Sequence, residues 1–392
     1  MTARTQVAII GAGPSGLLLG QLLHKAGIDS MIIERQSSDH VLSRIRAGVI
    51  EENTAKLMDF VGCGEHLRKE GMVQEGFSIF YESDKIRIDL KRLAGKSIIV
   101  YGQTEITRDL MEARQRSGRP VVYGASDVAV HDFDTKRPSV SYSVAGARHT
   151  VECDFIAGCD GFRGICRASI PSDKIRMYER NSPVGWLGLL ADTPPVAHEP
   201  IYGTDADGIY LCSMRSPTRS RYYLQCSMDD HVENWPDARF WDELRRRLPP
   251  GVAESLVSGP ALEKSIAPLR SFVAEPLRFG RMFLAGDAAH IVPPTGAKGL
   301  NLAAADVHDL SKVLMAYYHD NNVAALDEYS PKALARVWQA QRFSWWMTML
   351  LHKLPHQSAF DRKLQRAEFD TLAESETAQR ALAETYVGIE TL

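Results

Sequence analysis

The sequence contains no Cys-x-x-Cys pair and no His-Glu-x-x-His run, so it encodes no zinc ribbon, redox dithiol or helical metalloprotease site. It has no excess of one charge. The 46 basic and 49 acidic residues leave a formal net charge of −3, which gives the whole molecule no pull toward nucleic acid or anionic lipid. Glycine (29) and proline (19) are not enriched, which excludes collagen-like and low-complexity classes. Six cysteines in 392 residues make no disulfide framework and read as small buried apolar residues in a reducing compartment. His352 and His356 have helical spacing, but Pro355 between them disfavours that helix, and no metal site is expected. The apolar stretch from Val7 to Leu23 is interrupted by Gly11, Gly13, Pro14, Ser15 and Gly16. A signal peptide or anchor would lack such breaks, so the stretch reads as strand, turn and helix in a cytoplasmic chain. At roughly 100–200 residues per domain, the length suggests two or three domains.

What is present is a series of nucleotide motifs. Val7 to Ile10 suits a buried parallel strand, and Gly11-x-Gly13-x-x-Gly16 follows it into a helix. In this fingerprint the first glycine turns the chain, the second admits a pyrophosphate, and the third lets helix and strand pack closely. The helix N-terminus offers free N–H groups to phosphate. A second strand, Ser30 to Ile33, ends at Glu34, the position of a ribose ligand. Two later strands end in turns: Phe155 to Asp160-Gly161, with Arg167 beyond, and Arg281 to Gly286-Asp287. Pro293-Pro294-Thr295-Gly296-Ala297-Lys298-Gly299-Leu300-Asn301 then opens an apolar helical stretch, Leu300 to Leu314. Such a turn places amides and a positive dipole end beside an anionic ligand.

The middle of the chain, Pro183 to Ile266, reads as short strands followed by a helix near Arg239 to Leu248. A Ser-Pro-Thr turn joins two strands there. Ser213 and Arg215 share one face of the first, and Arg221, Tyr223 and Gln225 share one face of the second. The pattern fits two readings equally: a grip on a carboxylate, which arginine holds bidentately, or a solvated basic hairpin.

The motifs in this order resemble the FAD-dependent aromatic monooxygenase family. Further stretches are similar to members of that family that hydroxylate 4-hydroxybenzoate: Ser43-Arg-Ile-Arg-Ala-Gly-Val49, Tyr101-Gly-Gln-Thr-Glu105, Gly185 to Pro195, Lys264 to Phe272 and Arg342 to Thr348. The resemblance implies a mixed α/β fold with a Rossmann-like FAD/NAD(P)-binding domain, an inserted β-sheet substrate domain and a C-terminal helical segment. The borders expected are 1–180 for the FAD domain, with about 73–97 joining the substrate domain, then 181–267, then 268–392. It implies conversion of 4-hydroxybenzoate to 3,4-dihydroxybenzoate with FAD, O2 and NADPH or NADH, through a flavin C4a-hydroperoxide. A hydroxylase of 3-hydroxybenzoate or 3,4-dihydroxybenzoate is the alternative, and a non-catalytic carrier with the same nucleotide fold a third reading.

The resemblance also implies roles. Ser213, Arg215 and Tyr223 bind the substrate carboxylate. Tyr202 bonds the phenol with Tyr386 behind it, and Pro294 and Thr295 lie beside substrate and flavin. FAD is held by Gly11, Gly13, Ser15 and Gly16, by Glu34, Arg46, Gln103, Asp160 and Asp287, and by Gly299, Leu300 and Asn301. Lys298 adds positive potential, and Arg44 and Arg221 lie near the flavin and nicotinamide route. Two positions depart from the family pattern: Gln74 stands where a histidine ends the proton chain, and Arg163 stands where a histidine nears the nicotinamide diphosphate. With His40, and with Arg35 as either a 2′-phosphate ligand or a surface cation, this leaves NADPH and NADH open. Trp338, Phe343, Trp345, Trp346 and Met347 in the tail fit either core packing or a homodimer interface.

Overall fold

The computed structural model describes residues 3–43 and 48–388. Val7–Ile10 is buried at every position, as its unbroken apolar run requires, and forms the centre of a six-stranded sheet. The order across that sheet is Arg278–Phe279, Met282–Leu284, Phe155–Gly158, Val7–Ile10, Ser30–Ile33 and Val121–Val122. All but the Arg278–Phe279 edge run parallel. The helix Pro14–Lys25 buries Leu17, Leu18, Leu19, Leu22 and Leu23, each contributing about 2 kcal/mol of hydrophobic free energy.

An eight-stranded sheet stands beside it. Its order is His290–Ile291, Ala261–Glu275, Arg176–Ala191, Arg219–Ser227, Gly208–Ser216, Ile201–Asp205, Gly76–Tyr81 and Asp84–Asp89. Gly76–Tyr81 and Asp84–Asp89 lie within the segment expected to join the substrate sheet. The two longest strands, Arg176–Ala191 and Ala261–Glu275, run without a break across positions 180 and 267. The sheet is covered on both faces, so alternate residues face two different cores. Tyr210, Tyr222 and Leu224 pack with Phe240, Trp241 and Leu244 of the helix Asp237–Arg247. On the other face Ile79, Tyr202 and Leu211 pack with Phe343, Met347 and Tyr386 of the C-terminal helices Ala325–Leu351 and Glu376–Val387.

Ala325–Leu351 belongs to both cores. Its first half, with Leu326, Tyr329 and Ala333, packs on the six-stranded side. Its second half, with Phe343, Met347 and Leu351, packs on the eight-stranded side. The apolar stretch expected from Leu300 is the helix Gly299–His319. Among the described residues, no helix is long and apolar enough to cross a membrane.

Candidate active site

Leu284, Gly158, Ile10 and Ile33 stand in one register row across the six-stranded sheet. The four nucleotide motifs therefore leave the sheet at the same edge, the carboxyl ends of parallel strands, where such sheets bind ligands. Gly11 has φ +104°, and a Cβ there would lie 2.4 Å from the Cys159 carbonyl oxygen. A Cβ on Gly16 would lie 2.0 Å from the Gly11 carbonyl oxygen, so helix and turn touch only because no side chain intervenes. Around Gly13 nothing stands within 4 Å of the Cβ position, and no side chain caps the helix that follows. That combination of open space and free amides fits the pyrophosphate of FAD.

The expected ligands gather around this edge. Glu34 accepts from Ala12 N at 2.7 Å and from Gln36 N at 2.8 Å, which closes the glycine turn against the second strand. Each carboxylate oxygen keeps lone-pair capacity for a ribose hydroxyl. Ser15 Oγ lies 2.7 Å from where a Cβ on Gly286 would sit, which puts the first and third motifs together. Asp287 follows on the turn Gly286–Ala288 and is half-buried. Gln103 begins the helix Gln103–Arg116. Asp160 Oδ2 accepts from Cys166 N at 2.8 Å, while Oδ1 is buried with no partner among the described residues. Burial holds its carboxyl above the usual range. Arg167 donates to Ala288 O at 2.6 Å and to Phe162 O, tying the second motif to the third rather than reaching for a ligand. Arg44 and Arg46 lie outside the described residues.

The proline-rich turn seals the other side. Ala297 takes the left-handed conformation, φ +53°, and Gly299 and Leu300 begin a helix with no side-chain cap. Asn301 uses all of its bonding capacity: Oδ1 accepts from Glu51 N and Thr54 Oγ1, and Nδ2 donates to Val49 O and Ala297 O. It clamps the turn to the strand Val49–Glu51. Lys298 is 2% exposed, donates to Glu51 Oε1 at 2.6 Å and to Tyr386 O at 3.0 Å, and so has its charge balanced within the protein. Thr295 is wholly buried and shares a hydrogen bond of 3.1 Å with Thr348, with Pro294 half-buried beside it.

The hairpin faces converge as the alternation requires. Ser213 stands opposite Arg221, and Leu211 opposite Tyr223. Arg215 donates to Ser213 Oγ at 3.3 Å and to Met214 O at 2.9 Å, and its Nε is buried with no partner. Among the described residues it has no ion pair, and burial holds it below the usual guanidinium range. Arg221 differs: its charge is taken by Glu263 at 2.5 Å, with Ser265 at 3.2 Å. Along one register row Tyr223, Leu211 and Tyr202 occupy three neighbouring strands. Tyr202 is thus two strand spacings, about 10 Å, from Tyr223. Its hydroxyl shares a 2.9 Å hydrogen bond with that of Tyr386, and both rings are buried against Phe77. Burial pushes Tyr202 up to about 12 and raises Tyr386 well above the usual phenol value.

Leu211, Trp186 and Glu263 help build this site without having been singled out in the sequence. Leu211 and Trp186 belong to the apolar core that Tyr223 packs against. Trp186 Nε1 donates to His352 Nε2 at 2.7 Å, and His352 Nδ1 bonds Thr348 O at 3.0 Å, so both ring nitrogens are engaged. Glu263 lies 42 residues from Arg221, and no local signal connects them. Gln74 is buried at the end of the strand Met72–Gln74. Arg35, His40 and Arg163 are exposed.

A family model described as an FAD binding domain matches residues 4–344. p-Hydroxybenzoate hydroxylase from Acinetobacter baylyi is 54% identical over 389 residues, which covers 99% of this chain and 96% of that protein. The chain belongs to the FAD-dependent aromatic monooxygenases. FAD is the cofactor of this monooxygenase, and the open glycine turn, the partnerless Asp160 oxygen and the uncapped helix at Gly299 fit it. Para-nitrophenol 4-monooxygenase from a Pseudomonas species is 25% identical over 344 residues, 83% of this chain and 81% of that one. The crystal structure of p-nitrophenol 4-monooxygenase from Pseudomonas putida superposes over all of both chains, with a TM-score of 0.84 and 19% identity. The Diels-Alderase PyrE3 shares the fold at a TM-score of 0.77 and 23% identity, covering 98% of this chain and 81% of that one. Fold alone therefore does not specify the reaction, and the pocket residues must.

Proposed function

We propose that the protein hydroxylates 4-hydroxybenzoate to 3,4-dihydroxybenzoate, using NAD(P)H and O2. One observation carries this reading: a half-buried arginine with no ion pair among the described residues, Arg215, shares a sheet face with a buried pair of tyrosine hydroxyls. A single aromatic ring with a carboxylate and a para hydroxyl spans the gap. Arg215 holds the carboxylate, with Ser213 and Tyr223 beside it, and Leu211 and Trp186 present apolar surface to the ring. The phenol gives its proton to Tyr202 Oη as Tyr202 passes its own to Tyr386 Oη, and the electron-rich ring that results is open to electrophilic attack ortho to the oxygen. Bound FAD, reduced by NAD(P)H, supplies the activated oxygen. Thr295, held by Thr348, and Pro294 close the pocket against water. Gln74 does not titrate near neutral pH, so water or another group must take the proton onward.

The cofactor-binding roles given to Gly11, Gly13, Ser15, Gly16, Glu34, Gln103, Asp160, Asp287, Gly299, Leu300 and Asn301 are part of the same reading, as are those of Arg44 and Arg46. So is a nucleotide-binding part built on the six-stranded sheet, a substrate part built on the eight-stranded sheet, and a helical tail that forms a homodimer. Six unpaired, buried thiols support a cytoplasmic setting.

Anaerobic mixing with NADPH or NADH tests the reading. Flavin reduction should accelerate strongly with 4-hydroxybenzoate, and 3,4-dihydroxybenzoate should appear in air. Acceleration by 3-hydroxybenzoate or 3,4-dihydroxybenzoate instead would reassign the substrate, and a colourless protein would make it a carrier.

A further inference from the structure

We propose that Asp306, which lies behind the Gly286-Asp287 turn, is a positioning residue for FAD and sets how tightly the cofactor is held. The proposal rests on the FAD site described above. Asp306 sits inside the helix Gly299–His319 with no exposed surface. Its Oδ2 accepts from Gly286 N at 3.0 Å and stands 2.5 Å from His290 Nε2. Its Oδ1 accepts from Arg336 Nη2 at 3.2 Å. Gly286 is in the left-handed region, φ +61°, and accepts from Ala289 N at 2.8 Å, so one carboxylate grips both ends of the turn that presents Asp287.

A ladder leads away from the turn. Arg336 Nη1 donates to Asp309 Oδ2 at 2.6 Å, and Lys332 Nζ pairs with Asp309 Oδ1 at 3.0 Å near the surface. Burial pushes the Asp306 carboxyl up, but His290, Arg336 and the Gly286 amide outweigh it and hold the carboxyl below its usual range. A buried ionic network contributes little net stability over a well-packed apolar one. What this network supplies is a fixed place for one backbone amide and one imidazole, both belonging to the FAD turn.

The test uses Asp306→Asn, His290→Asn and, at the outer rung, Asp309→Asn. Each holoenzyme is passed through ultrafiltration at a series of concentrations, and the retained flavin is read by absorbance. Asp306→Asn should raise the FAD dissociation constant at least 10-fold and change the visible circular dichroism of the bound flavin. His290→Asn should raise the constant by a smaller factor, and Asp309→Asn should leave it within 2-fold. Far-UV circular dichroism of all three should match the parent. A constant within 2-fold of the parent for Asp306→Asn, or failure of both inner variants to fold, would overturn the proposal. Parent protein that neither carries nor takes up FAD would instead overturn the cofactor site itself.

Discussion

Arg215 and Arg221 sit on adjacent strands of one hairpin, yet their partners separate them. Glu263 forms an ion pair with Arg221, whereas Arg215 has no ion pair among the described residues. Arg215→Met should raise the dissociation constant for 4-hydroxybenzoate about 10²-fold, the worth of a charged hydrogen-bonded contact. Equilibrium titration of the flavin spectrum measures it. Tyr386→Phe should leave that constant within a few-fold and lower the hydroxylation rate about 10²-fold, since proton transfer is what the second hydroxyl adds. A loss confined to binding would refute the relay. His352 makes a different prediction. Burial lowers it to about 4 from 6.5, so below pH 6.5 the unfolded chain takes a proton that the folded chain refuses. Its stabilising contribution is full above pH 6.5 and is lost as the pH falls toward 4, about 3 kcal/mol in all. Urea midpoints between pH 7 and 4.5 should fall less steeply in His352→Gln, by about one proton. At this scale the sequence shows which side chains share a face, because alternation along a strand is local. It does not show that Arg221 is already paired, because Glu263 arrives from a strand 42 residues away.

Among the elements, the helix Ala325–Leu351 reaches both the Gly-Asp turn and the proline-rich turn. Arg336 reaches the back of the Gly-Asp turn, and three turns later Thr348 holds Thr295. Thr348→Val keeps the shape and removes that hydrogen bond, at a cost of about 1 kcal/mol. Thr295 should then seal the pocket less well. More hydrogen peroxide should form per NAD(P)H oxidised, while FAD affinity stays unchanged. Peroxide and product yields measured together check this. The strand–turn–helix elements of the nucleotide site are readable almost residue for residue, since Gly11 and Gly16 each answer to a close backbone contact and Gly13 to an open space. The tail reads only as helix-rich. Asp306 and Asp309, within the largely apolar run Leu300 to Leu314, were the available sign that something polar lay behind it.

For the whole molecule, the aromatic and Met residues of the tail differ in exposure. Phe343 and Met347 are core, whereas Trp338 and Trp345 are 41% and 42% exposed. Tyr178 stacks edge-on against Trp338, and Arg180 lies 4.3 Å from the Trp345 ring centroid. Met177, on the same strand, is also exposed. If this face pairs two copies, Trp338→Glu with Trp345→Glu should halve the mass seen by light scattering and leave FAD bound. The strands Arg176–Ala191 and Ala261–Glu275 carry the chain across positions 180 and 267 without a break. The 27-residue helix that lies in both cores has a thermal consequence. Neither sheet can melt without stripping apolar cover from the other, so heating should produce one transition whose calorimetric and van't Hoff enthalpies agree.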